Sequence, residues 1–294
     1  MTRGLKIGLA LILIGIGLVA IVSVTSGSEI FQNGEEYYTY YEEEYAADTF
    51  SSFAFDFDNR RVYIYESTDD KIRLSYYLHE KDESIFDDET VEMSLSITRK
   101  WYLNFSLFNF TNTKYFEVYL YLPSSLLDYS FDIDTSNGKI ILDGIGACDS
   151  INLETSNGEI EVNNIEARVI NLKTSNGEIK MTDVTVETNL KGDSSNGRVT
   201  LNNISADKIE MKTSNGKVKA ENIAANNVKL DSSNGEIFLS IQGEQNSYRI
   251  VLNTTNGHRI LGDLRIESGI INADKANSVE LKSSNGDVEV QFVN

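Results

Sequence analysis

Two histidines, one cysteine and many carboxylates are the side chains of this chain best suited to catalysing a reaction or holding a metal. His79 and His258 lie far apart, and neither has an evident Ser, Cys or Asp partner for a nucleophilic triad. No His/Cys pattern has the spacing of a zinc site. A lone Cys148 forms no internal disulfide and is expected in an early turn. Carboxylates recur beside one kind of turn, at Asp134, Glu154, Asp193 and Asp231. Acids clustered on one face are what a polysaccharide hydrolase or a calcium site needs. Lys173 and Lys212 interrupt that column, and alternating signs predict ion pairing between neighbouring strands instead. Four Asn-x-Ser/Thr sequons start at Asn104, Asn109, Asn203 and Asn253; Asn104 and Asn109 are the candidate glycan acceptors. No catalytic, metal or cofactor site is assigned, and no cofactor is expected.

The carboxylates are positioned by a repeat. Two hydroxyl residues followed by Asn-Gly occur eight times, at Asn137-Gly138, Asn157-Gly158, Asn176-Gly177, Asn196-Gly197, Asn215-Gly216, Asn234-Gly235, Asn256-Gly257 and Asn285-Gly286. The interval is nearly constant from Asn137 to Asn234 and lengthens over the last two steps, to Asn256 and then to Asn285. Aliphatics recur six and four positions before each Asn, as at Ile151 and Leu153, and three, five and eight after it, as at Ile160, Val162 and Ile165. Such period-two alternation on both sides of a turn marks two short half-buried strands per copy. Asn-Gly is read as the turn because both residues tolerate positive φ. The Ser or Thr two positions before each Asn shares parity with the aliphatics and predicts an inward or corner hydroxyl ladder.

Two architectures fit: a meander of Asn-Gly hairpins, or an all-β β-solenoid in which each copy is one rung. The steady period favours a solenoid of about eight 19–20-residue rungs, since a meander has no need of near-identical turns. The seventh copy is out of phase, with Arg259 at an aliphatic position, so bulges or an enlarged loop are expected between Gly257 and Asn277. The eighth copy is read as the open end, its edge either covered by that loop or self-associating through this C-terminal rung.

Residues 7–24 form an uncharged apolar run, and eighteen helical residues span about 27 Å, close to the hydrocarbon thickness. Arg3 and Lys6 precede it, and no further Lys or Arg appears before Arg60. That asymmetry predicts a single-pass membrane anchor with a cytoplasmic N-terminus and an extracellular body, favoured over a cleaved signal peptide. The net charge of −19 argues against nucleic acid as a partner. The expected division is a cytoplasmic tip and anchor over 1–27, an acidic Tyr-rich linker over 28–49, a β-rich N-terminal cap over 50–130 and the repeat over 131–294. Strands are expected in the cap at 53–57, 61–66, 71–79, 91–99 and 115–122. The aromatic run from Trp101 to Phe110 is read as core or interface.

A strand-rich cap, then Val118-Tyr119-Leu120-Tyr121-Leu122-Pro123, then Phe131 to Ile140 opening the Ser-Asn-Gly copies, resembles the putative-adhesin family of bacterial and archaeal membrane-anchored β-strand-repeat proteins. The resemblance covers roughly residues 53–294. It implies a β-helix-like fold, an N-terminal anchor and no enzyme activity. Three functions are weighed: a non-enzymatic cell-surface module binding a surface glycan or protein, an envelope-stress or membrane-complex regulatory scaffold, and, least favoured, a carbohydrate-active enzyme.

Overall fold

The computed structural model describes residues 37–99, 113–123 and 128–293. The anchor run, residues 28–36, the aromatic run and both candidate acceptors Asn104 and Asn109 lie outside them. Among the described residues no helix is long and apolar enough to cross a membrane. They form strands joined by tight turns, with short 3-10 turns at Thr113–Phe116 and Gln245–Ser247.

The repeat builds a parallel stack whose rungs stay in register apart from irregularities at Ala167/Val169 and Val186/Asn189. Ile160–Thr174, Ile179–Ser194, Val199–Thr213 and Val218–Ser232 are long strands, each running from one Asn-Gly turn to the next. Equivalent residues lie side by side, as in Ile160↔Ile179↔Val199↔Val218. The inward columns are closed to water: Ile165, Val184, Ile204 and Ile223 are each at most 1% exposed. Burying one such side chain stabilises the fold by about 1.5–3 kcal/mol. One inward position is vacant of side chain, at Gly192. A Cβ there would lie 2.5 Å from the sulfur of Met211 in the next rung, so the long methionine fills the space of both residues.

The turn works differently from the sequence expectation. Neither residue of any Asn-Gly pair has positive φ. Glycine is required by close approach instead: a Cβ on Gly197 would lie 1.6 Å from the carbonyl oxygen of Gly177 in the adjacent rung. The left-handed residues come seven positions after the turn Asn, at Asn164, Asp183, Asn203 and Asn222, with φ of 54–55°. Asn and Asp enter that region with little penalty, and they bend each long strand into its next face.

Below each turn runs the hydroxyl ladder. Thr155 is buried; its Oγ1 donates to Gly138 O in the preceding rung (3.1 Å) and accepts from Gly158 N of its own (3.0 Å). The same pair of bonds recurs at Thr174, Ser194, Thr213 and Ser232. Each buried hydroxyl is thus satisfied twice, which buried polar groups require.

The stack departs from sequence order at both ends. On the C-terminal side, Asn277–Ser283 pairs with Val218–Ser232 on one side and Tyr248–Thr254 on the other. Val288–Val293 likewise lies between Ile237–Gln242 and Arg259–Leu261. The eighth copy therefore sits between the sixth and seventh, and Val290, expected near an open end, is fully buried. The lengthened step from Asn234 to Asn256 is the physical signature, since the chain needs extra length to pass one rung height before turning back into the stack. The seventh copy is the terminal rung. Its edge is covered by the enlarged loop, whose Leu264–Arg265 and Ile270–Ile271 pair with Arg259–Leu261 and Tyr248–Thr254. Arg259, out of pattern in sequence, hydrogen-bonds to the carbonyls of Leu252 (3.1 Å) and Thr254 (2.8 Å).

The N-terminal cap is built from two further rungs. Ser52–Phe57 and Arg61–Ser67 stack in parallel on the first repeat rung, and Glu92–Arg99 with Glu117–Pro123 stacks outside them. Here the enclosed rung lies between two segments that come later in the chain, the reverse of the C-terminal end. Lys71–His79 and Asp82–Asp87 close the end as antiparallel strands. The stretch expected as a linker supplies the edge strand Tyr38–Ala46, paired to Lys71–His79.

Cys148 opens the strand Cys148–Thr155 rather than lying in a turn, and it is 3% exposed. Burial pushes its thiol up to about 12. Only the thiolate reacts readily, so iodoacetamide at pH 8 should leave Cys148 unmodified in the folded chain and label it fully in denaturant.

Candidate binding surface

Chemistry-bearing residues come together on three surfaces. The first is the turn edge. Asn137, Asn157, Asn176, Asn196, Asn215, Asn234, Asn285 and Asn256 form one amide ladder in that spatial order, each side-chain NH2 donating to the previous oxygen at 2.6–2.7 Å from Asn157 onward. Asn137 continues it to Asn59. The eight Asn-Gly pairs thus form one edge whose amides bond to one another, which makes it structural first. Asn59-Arg60 holds the place of Asn-Gly in the added rung. Here the position after the turn Asn carries a side chain, and it is buried. The Arg60 guanidinium reaches Asp82 at 2.5 Å and the Tyr115 carbonyl at 2.5 Å, and Arg99 holds the same Asp82 at 2.6 Å.

The second surface holds the column of alternating charge. Lys173 bridges across rungs to Glu154, and Lys229 to Glu210 at 3.7 Å. Lys191–Asp193 (3.3 Å) and Lys229–Asp231 (3.7 Å) pair along a strand instead. Charges of opposite sign therefore adjoin in both directions. A shallow groove of about 310 Å³ crosses this face past Asp132, Asn152, Asn171 and Lys191. Burial, then Glu154 and Asp56, raises the Asp134 carboxyl. Among the described residues no group of three or more His, Cys, Asp or Glu is placed to hold a metal. The histidines stand at opposite ends: His79 packs its ring 4.8 Å from Tyr38, and His258 Nδ1 lies 3.0 Å from Asp287. No single site can use both.

The third surface was not singled out in sequence. Tyr63 and Tyr65 point outward from one rung, Tyr119 and Tyr121 from the next, and strand register sets them in a square: Tyr63↔Tyr119 and Tyr65↔Tyr121. Ring centroids are 4.9 Å and 6.1 Å apart across the rungs, and 6.2 Å and 6.3 Å along the strands. Tyr77 and Tyr40 extend the wall on the antiparallel strands, with rings 5.0 Å apart and Tyr40 49% exposed. The sequence signal was the pair of Tyr-x-Tyr triplets, in which tyrosines share the outward parity while Ile64 and Leu120 face in.

Ion pairs rim the tyrosines. Glu117 accepts the Tyr119 hydroxyl at 2.9 Å and lies 3.7 Å from Arg61; Arg73 lies 3.4 Å from Glu44. Burial, then Glu117, raises the Tyr119 phenol, so it remains a neutral donor. Further along the same face, Glu161 accepts from Lys139 (2.8 Å), Asn163 (3.2 Å) and Lys180 (3.1 Å). Burial raises the Glu161 carboxyl, but these bonds outweigh it and bring it down to about 2. A carboxyl lowered on folding contributes stability above its ordinary pKa, and that contribution is lost as pH falls through the folded value. Between pH 6 and pH 2.5, urea melts of wild type should therefore lose more stability than those of Glu161→Gln.

Two solved structures align with the chain at low identity. A protein from Parabacteroides distasonis, named a putative lipid binding protein, aligns at TM-score 0.50 and 14% identity over 87% of this chain and 97% of that one. A putative adhesin from Bacteroides fragilis aligns at TM-score 0.49 and 14% identity, covering 86% and 97%. At such identity the first likeness shows the fold alone. No curated protein matches the chain. A family model matches residues 50–291, which takes in the N-terminal rungs, the square of four tyrosines and almost all of the repeat, and by that match the chain belongs to the Toastrack DUF4097 family.

Proposed function

We propose that this chain is a non-enzymatic, membrane-anchored cell-surface protein that binds a surface glycan on its tyrosine wall. The observation that carries the reading is the square of Tyr63, Tyr65, Tyr119 and Tyr121, held in place by the register of two rungs. Tyrosine gives a large amphipathic contact area at little entropic cost, and the flanking acids are offset by Arg61 and Arg73. Such a surface suits a ligand with apolar faces and many hydroxyls. The apolar run over 7–24 with Arg3 and Lys6 before it supplies the anchor and the orientation. Among the described residues the two histidines stand at opposite ends of the stack and share no site.

The test is a glycan array probed with the full-length chain in detergent, with product release assayed in parallel. Binding without turnover is expected, and Tyr65→Ala/Tyr119→Ala should abolish it while leaving the circular dichroism spectrum unchanged. Undiminished binding by the double variant would refute the tyrosine wall as the site, and release of shortened saccharide would refute the non-enzymatic reading.

A further inference from the structure

The C-terminal seam of the stack differs in kind from those within the repeat. Between regular rungs the chain crosses as continuous ladder-bonded strand, for example Val199–Thr213. Between the sixth copy and the rungs beyond it, the chain crosses outside the ladder, over residues 243–247. That crossing is exposed but for a partly buried Gln245; Gly243 has φ +114, and a 3-10 turn follows at Gln245–Ser247. Everything after it forms one unit. The seventh and eighth copies pair with each other along Tyr248–Thr254 with Asn277–Ser283, and along Arg259–Leu261 with Val288–Val293. This unit carries its own cap over its outer edge. It meets the rest of the molecule chiefly through a rung-to-rung contact. That contact comprises the ladders from Asn227↔Ser278 to Ser232↔Ser283 and from Ile237↔Val288 to Gln242↔Val293. Asn285 to Asn234 (2.6 Å), Ser283 to Gly235 O (2.9 Å), Gly243 N to Val293 O (2.9 Å) and Tyr248 OH to Ala225 O (2.9 Å) add to it.

The geometry points to an exchangeable end: the unit of residues 248–293 from one copy docks on the sixth rung of a second copy, which returns its own. The partner is a second copy because the exchanged surface is the one the closed molecule already uses. Every ladder bond is the same in both forms, so exchange costs only the opening of one seam and the straightening of the crossing, and concentration drives it. The result is a dimer of two intact stacks. This inference is independent of the glycan reading.

Thiol trapping decides it. Asp231 and Lys282 are register partners across the seam. Full-length Asp231→Cys and Lys282→Cys chains are mixed at rising concentration, incubated and oxidised, while native Cys148 stays buried. Exchange predicts a disulfide-linked 231–282 heterodimer whose yield rises with concentration and exceeds that of a Lys173→Cys with Lys282→Cys control, whose positions never adjoin. A chain carrying both Asp231→Cys and Lys282→Cys, oxidised when dilute, should stay monomeric on concentration. Heterodimer yield equal to the control at all concentrations would overturn the proposal, as would dimerisation of the locked chain to the wild-type extent.

Discussion

Gly197→Ala should cost about 3–5 kcal/mol, far more than a methyl group usually does, because the clash is with backbone. The added Cβ would lie 1.6 Å from Gly177 O and 2.4 Å from its carbonyl carbon. Neither atom can withdraw without breaking the bond that Gly177 O accepts from Ser194 Oγ (3.2 Å) and the ladder beside it. Gly262→Ala is the informative contrast. Gly262 has φ +59 and no atom within 4 Å of a built Cβ, so only left-handed strain of about 1–2 kcal/mol is expected there. Urea denaturation of the two variants separates the explanations. If Gly197→Ala loses no more than Gly262→Ala, close approach is not what requires glycine at the turns.

Ile204→Asp should be comparably damaging by a different route. Ile204 is 1% exposed, with Val184 and Ile223 as register partners in the rungs on either side. A carboxylate there has no donor, and the effective penalty of an unpaired buried charge is several kcal/mol even after relaxation. Its neighbour Ser205 points outward and is exposed, so Ser205→Asp should stay within about 0.5 kcal/mol of wild type. Thermal melts that place the two variants together would mean that the inward and outward faces are reversed.

The parity of the columns made much of this legible. Ile165, Val184, Ile204 and Ile223 are buried where the repeat put them, and Thr155 and its equivalents lie beneath the turns. The order of the end rungs was not legible, for a physical reason. Every copy presents the same inward pattern, so the seventh or the eighth could lie on the sixth with the same parity. Only the longer step between Asn234 and Asn256 hinted at the detour, and a bulge explains extra residues equally well. The rung at Ser52–Phe57 was hidden because it lacks the Ser-Asn-Gly signature. Asn59-Arg60 stands at its turn, and the Arg60 side chain is held by Asp82 and the Tyr115 carbonyl. The tyrosine wall was written in two Tyr-x-Tyr triplets. Its meaning depends on the pairing of strands distant in sequence, as in Arg61↔Glu117, which no local pattern specifies.

Interleaved ends also set a timetable for synthesis. At the N-terminal end, the enclosed rung is made before the two segments that flank it, so it can act as a template when they emerge. At the C-terminal end the enclosed rung comes last. Domains generally fold from the N-terminus as the chain is made, and here rungs can be added in sequence only as far as Gln242. The next segment, Tyr248–Thr254, must then wait for Asn277–Ser283, the parallel strand that joins it to the stack. Throughout that interval Ile237–Gln242 is an unprotected sheet edge, the kind of surface on which nascent chains associate. A pause in translation between residues 243 and 293 should therefore be more harmful to yield than a pause of equal length within the regular repeat.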